Sequence, residues 1–322
     1  MKTTIVLSLL VMGAAAQASF DMMLLPISGT SRVARFDPVN RVNLGTVGQE
    51  GNSAVSNANL GPNNSVSITG PSGTNRFDYS TGEFLANSTS INGQAHSTLG
   101  SNTLFELFGG LVFRYDAASL VVTNSAVLLG LSNVATIIPI ADDKMAAFGT
   151  NASGDFVVRT VNLNTAAVIT EQVYITAATF GGFATIGTGF ATSLSGVTNS
   201  YISVRNSSGS DIVYRHTYSA TGALTGFQSS ALGSGFSAAP KSIMPGHNGI
   251  WVLGDSSAGA TTTRVVQMSN TLGQIGSYST TLVDVPTSRW SGANVVAPEP
   301  GTMTMLGLGL AALLKRRKHA SS

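Results

Sequence analysis

The chain has no cysteine, which excludes disulfide frameworks, thiolate metal sites and cysteine nucleophiles. Charge is scarce as well: Asp, Glu, Lys and Arg make up 10% of the 322 residues. The formal net charge of +2 comes from the two ends, because five of the 17 basic residues are Lys2, Lys315, Arg316, Arg317 and Lys318. Setting those five aside leaves twelve basic residues against fifteen acidic ones. Such a chain offers no clustered positive surface to phosphates, and nucleic acid is not an expected partner. No window between residues 20 and 295 sustains a 3.6-residue apolar period over three turns, so long amphipathic helices are not expected.

Catalytic signatures are missing too. His96, His216 and His247 are far apart and none has H-x-x-x-H or H-E-x-x-H spacing, so no local zinc site is predicted. There is no G-x-S-x-G elbow, and Gly233-Ser234-Gly235-Phe236-Ser237 lacks the lysine of a phosphate loop, which leaves it a turn. Asp142-Asp143 comes closest to an acid-base or metal pair, yet Lys144 follows it between two apolar stretches. A solvated turn accounts for it better than a calcium loop, which alternates oxygen ligands over several positions. No catalytic residue, cofactor or metal is assigned.

What is present favours short strands. Gly, Ser, Thr, Asn and Val dominate the central region, a composition of strands joined by turns, so the body from residue 19 to 295 reads as all-β. Within it a unit recurs: an apolar or aromatic strand end, often preceded by Arg, then a polar turn. The full triplet is Arg35-Phe36-Asp37, Arg76-Phe77-Asp78 and Arg114-Tyr115-Asp116, with weaker copies around Val161, Tyr218 and Met268. The anchors Phe36, Phe77, Tyr115, Val161, Tyr218 and Met268 are spaced by 41, 38, 46, 57 and 50 residues, against the roughly 40–50 that a four-stranded blade needs. In this reading the aromatic fills space between stacked sheets and the Asp accepts backbone N–H groups of the following turn. The pattern resembles a β-propeller of about six or seven blades. A β-sandwich or an irregular β-solenoid is the alternative, because the 57-residue interval breaks the period.

The two ends carry signals. Met1–Ala18 has a basic start at Lys2, an apolar run and the small-x-small pattern Ala16-Gln17-Ala18, the plan of a secretory signal peptide cut after Ala18. At the other end, Pro298-Glu299-Pro300 precedes an apolar run, Thr302–Leu314, and then Lys315, Arg316, Arg317 and Lys318. Thirteen residues make a helix of about 20 Å against a hydrocarbon core of about 30 Å, too short for a comfortable permanent span. The cations behind it act as a stop-transfer signal that keeps the extreme C-terminus, residues 319–322, in the cytoplasm.

Residues 296–318 closely resemble the PEP-CTERM sorting signal of exported bacterial proteins. The resemblance implies recognition near Pro298-Glu299-Pro300 by an exosortase, a membrane cysteine transpeptidase-like enzyme, after a transient stay in the membrane. It also implies a Gram-negative producer of exopolysaccharide or biofilm matrix and a product at the cell surface or outside the cell. The expected role is non-enzymatic binding of exopolysaccharide or surface proteins. The alternative is a propeller lyase, lactonase or glycan hydrolase acting on extracellular polymer.

Overall fold

In the computed structural model, residues 19–27, 30–49, 57–70, 73–91, 95–99, 102–177, 185–186, 189–194, 197–206, 208–237, 240, 242–257, 262–282 and 293–298 are described. They form twenty-five strands in six antiparallel sheets. Blade 1 takes β1 (Ser19–Pro26), β2 (Ser31–Asp37) and β3 (Val42–Gln49) from the start of the chain. Blade 2 is β4 (Asn57–Gly61), β5 (Ser65–Gly70), β6 (Gly73–Asp78) and β7 (Phe84–Ser88). Blade 3 is β8 (Ala95–Leu99), β9 (Thr103–Phe108), β10 (Leu111–Asp116) and β11 (Val122–Leu128). Blade 4 is β12 (Asn133–Ala141), β13 (Lys144–Thr150), β14 (Phe156–Asn162) and β15 (Val168–Ile175).

In blade 5 the inner position is shared by two short pieces, β16 (Thr185–Ile186) and β17 (Phe190–Leu194), which both pair with β18 (Val197–Arg205); β19 (Asp211–Tyr218) and β20 (Leu224–Ala231) follow. Blade 6 is β21 (Ser242–Gly246), β22 (Gly249–Asp255), β23 (Thr263–Met268) and β24 (Gln274–Thr280). The last strand, β25 (Ala293–Pro298), returns to blade 1 and lies inside β1. The inner strands touch in the order β25, β4, β8, β12, β17, β21 and back to β25. The molecule is therefore a closed six-blade β-propeller, at the lower of the two blade numbers expected.

Burial follows the blades. Six apolar clusters are described, one in each seam; Met23, Leu25 and Trp251 join blades 6 and 1, and Phe105, Ile137 and Met145 join blades 3 and 4. All six anchor residues of the repeat sit at the end of the third strand of a blade, each at most 3% exposed.

The turn after each anchor is built alike. Asp37 Oδ1 accepts the N–H groups of Val39 and Asn40, Asp78 Oδ1 those of Ser80 and Thr81, and Asp116 Oδ1 those of Ala118 and Ser119. Asn162 caps Asn164 and Thr165 in the same way, while Ser219 and Ser269 accept from Ala223 and Gly273. Each turn then passes through a left-handed residue: Arg41, Gly82, Leu120, Ala166, Gly222 or Leu272. Four of these six are not glycine, so the capping bonds hold a conformation that costs roughly 1 kcal/mol for a residue with a Cβ.

The arginine of the triplet reaches forward to the next blade. Arg35 Nη1 donates to the carbonyls of Tyr79 and Ser80, Arg76 Nη1 to that of Ala118, and Arg114 Nη2 to Asn164 Oδ1. Arg215 Nη1 donates to the Asn270 carbonyl at 2.6 Å, and Tyr278 Oη to the Pro38 carbonyl at 2.7 Å. Five seams thus share one clasp, a side chain of one blade holding the anchor turn of its successor. In the seam from blade 4 to blade 5, the aliphatic stem of Lys144 packs on Gly222, where a Cβ would come within 2.7 Å of it, and Thr170 Oγ1 accepts from Leu224 N at 3.4 Å.

Candidate processing site at the ring closure

The closing strand reads Ala-Asn-Val-Val-Ala-Pro. Two adjacent β-branched residues favour extended backbone, and proline, which has no N–H to give a ladder, is tolerated at a strand end. β25 pairs antiparallel with β1 in the register Ser19↔Pro298 through Leu24↔Ala293. Its last residue is the first proline of Pro298-Glu299-Pro300, and its partner Ser19 is the residue after the expected signal cleavage at Ala18. The start of β1 and the end of β25 therefore lie at the same end of one strand pair. β25 spans the division between body and sorting segment at residues 295 and 296. Ala16, Ala18, Glu299, Pro300, the apolar run and Lys315, Arg316, Arg317 and Lys318 lie outside the described residues. Among the described residues no helix is long and apolar enough to cross a membrane.

Two contacts lock blade 1 to blade 6 beside this strand. Asp21, 2% exposed in β1, accepts the backbone N–H of His247 at 2.8 Å with Oδ1 and the indole Nε1–H of Trp251 at 2.5 Å with Oδ2. A Cβ on Gly246 would stand 2.7 Å from Trp251 Nε1 and 3.1 Å from Asp21 Oδ2, so glycine leaves the room in which this pair forms. Nearer the rim, Tyr278 bonds Pro38 and carries the Arg41 guanidinium 4.4 Å above its ring. Burial pushes the Tyr278 hydroxyl above the usual phenol range, so it stays a donor.

The three histidines among the described residues are distributed over three blades. His96 lies in β8 of blade 3, His247 in the two-residue turn between β21 and β22, and His216 in β19. His216 is fully buried among Phe148, Tyr174, Tyr214 and Tyr218. Its Nδ1 lies 3.4 Å from Ser200 Oγ, which also bonds the Tyr218 hydroxyl at 2.9 Å, and its Nε2 has no partner. Ser200 is itself fully buried, so this serine and histidine are closed to a substrate. Asp142-Asp143 forms the turn between β12 and β13, where Asp143 pairs with Lys144 at 2.6 Å and the Asp142 carbonyl accepts from Arg114. Among the described residues no group of three His, Asp or Glu converges to hold a metal.

Burial lowers the His216 pKa from 6.5 to about 3, so the ring is neutral in the folded protein across the physiological range. Unfolding releases it to an ordinary value, and the unfolded chain takes up a proton once pH drops below about 6.5. The stability due to neutral burial is thus complete above that pH and is lost as pH falls toward 3, by about 2 kcal/mol at pH 5. Denaturant melts at pH 7 and pH 5 are expected to differ by this amount in the native chain and by much less in His216→Phe. Above pH 5 the Asp78 and Asp116 caps remain ionised, since the backbone and serine hydrogen bonds they accept hold both carboxyls below the usual carboxylate range.

An aromatic shelf opens beside this buried ring at the rim of blades 4 and 5. Phe227 on β20 is 51% exposed and stacks on Tyr214 at 5.5 Å with an interplanar angle of 18°; Tyr174 of β15 lies 5.6 Å from Phe227 and 5.4 Å from Tyr214. These three rings come from three strands and two blades, so nothing in their spacing along the chain announces them.

No curated protein matches the chain. Among solved structures, a protein of unknown function from Bacteroides caccae is 11% identical over 86% of this chain and 99% of that one, with a TM-score of 0.55. A functionally unknown protein from Desulfotomaculum acetoxidans is 9% identical over 86% of each chain, with a TM-score of 0.56. Both likenesses bear on fold alone. BamB from Moraxella catarrhalis aligns over 81% of this chain and 70% of that one at 15% identity and a TM-score of 0.41. Residues 296–318, which begin inside the closing strand, match the PEP-CTERM protein-sorting motif, and the chain is accordingly an exported protein handled by an exosortase-type membrane enzyme.

Proposed function

We propose that the propeller is a non-enzymatic surface or matrix protein of a Gram-negative bacterium, and that the shelf of Tyr174, Tyr214 and Phe227 holds extracellular polysaccharide. Pro298, Glu299 and Pro300 are the motif the exosortase reads, and Lys315, Arg316, Arg317 and Lys318 stop transfer until the tail is removed. The observation that carries the binding reading is the half-exposed Phe227 stacked on Tyr214. A sugar ring has an apolar C–H face that lies well on an aromatic plane, while its hydroxyls turn to water and to polar neighbours. Ser229, two residues on and opposite Tyr214, shares the Phe227 face of the exposed β20. The low charge of the chain suits a polymer recognised by ring contact rather than by ionic attraction.

The test is retention of the exported protein on the producer's own extracellular polysaccharide. Wild-type protein is expected to be retained with little dependence on salt, and Phe227→Ala to bind roughly fivefold more weakly, about 1 kcal/mol for one stacked ring. Absence of retention at any ionic strength, or full retention of the variant, would overturn the reading.

A further inference from the structure

The sorting motif has no linker separating it from the fold. Its first residues, Val296, Ala297 and Pro298, belong to a strand paired with β1 and set between the inner strands of blades 6 and 2. A cut upstream of Val296 would remove part of the strand that shuts the ring and strip β1 of half its register. We infer that the sorting enzyme takes the closed propeller as its substrate: scission falls on the carboxyl side of Pro298, and β25 stays paired with β1 through processing and in the mature protein. This inference rests on the exosortase reading. In the step itself, one peptide bond C–N beyond Pro298 breaks. Its carbonyl carbon passes to water or to an acceptor amine, and the tail leaves as an amine that takes up a proton.

The same topology sets which side of the propeller meets the enzyme. In each blade the first and third strands run in one sense, so the turns that follow them share a face. β25 is the first strand of blade 1, and its C-terminal end therefore opens onto the face that carries the capped turns of Asp37, Asp78, Asp116, Asn162, Ser219 and Ser269. From Pro298 to Thr302, the start of the apolar run, the chain spans at most about 14 Å when fully extended. Before scission the capped-turn face is held against the membrane enzyme, and the opposite face is turned to the outside.

The absence of native cysteine allows a clean test, because a pair of introduced cysteines can form only one disulfide. Met22 and Val295 are register partners, and cross-strand neighbours stand within the range a disulfide spans. The double variant Met22→Cys/Val295→Cys, expressed as the full chain in the producing cell, is expected to be processed within about twofold of the wild-type rate with its disulfide formed. Phe20→Cys/Ala297→Cys places a second staple within the motif's first residues, next to Pro298, should the first perturb folding. Mass spectrometry of the wild-type mature protein is expected to find a C-terminus at or beyond Pro298. Accumulation of stapled precursor while the single-cysteine chains mature normally, or a mature C-terminus before Val296, would overturn the inference. Glu299→Ala and deletion of residues 315–318 separate the two levels: both are expected to leave precursor in the membrane fraction. Normal maturation of both would instead sink the exosortase reading itself, whatever the staples do.

Discussion

A fragment of residues 19–292 is expected to be less stable than one of residues 19–298 by on the order of 5 kcal/mol, since six paired residues are lost at a net gain of about 1 kcal/mol per backbone hydrogen bond. The loss exceeds that of trimming an ordinary edge strand, because β25 is the inner strand of its blade and touches β21 and β4 on either side. Without it β1 presents an unpaired edge, and the seam between blades 6 and 1 loses its innermost layer. Guanidinium melts of the two fragments measure the difference, and a peptide of sequence Ala-Asn-Val-Val-Ala-Pro supplied in trans is expected to recover part of it by adding back to the β1 edge. Equal midpoints for the two fragments would mean that the ring does not depend on its last strand.

Asp21→Ala is expected to cost about 3 kcal/mol, because it leaves two donors without their acceptor in a buried seam. The indole N–H of Trp251 and the backbone N–H of His247 both donate to this carboxylate. Asp21→Asn keeps one amide oxygen and so one of the two bonds, and it is expected to fall between alanine and wild type. Trp251 is one of two tryptophans in the chain, so its fluorescence reports the seam alongside chemical denaturation. A loss below about 0.5 kcal/mol for Asp21→Ala, within the range of an ordinary surface change, would show that the clamp contributes nothing to closure.

The blades were legible because each repeats a local unit. Phe36, Phe77 and Tyr115 mark strand ends, and the Asp after each caps its own turn within three residues, a relation that sequence carries directly. The long interval between Val161 and Tyr218 is explained by blade 5, whose inner position is divided between β16 and β17. The arginine of the triplet was visible, but its partner was not, since Arg35 meets Tyr79 and Ser80 across a seam and more than forty residues away. Closure was hidden for the same reason: Ser19 and Pro298 lie at opposite ends of the chain. Asp21 did leave a trace, as the lone carboxylate in the apolar stretch Phe20-Asp21-Met22-Met23-Leu24-Leu25. A charge in such a place needs a buried partner, though the sequence does not say that the partner is Trp251.

Because β1 is made first and β25 last, the order of synthesis is also the order in which the ring can be completed. A chain delivered from its N-terminus completes blades 2 to 6 while blade 1 still lacks its inner strand, because β25 follows every other described strand. The ring therefore closes only when β25 arrives, and a chain ended before residue 293 would present the unpaired edge of β1, the kind of exposed backbone that proteases and other strands engage.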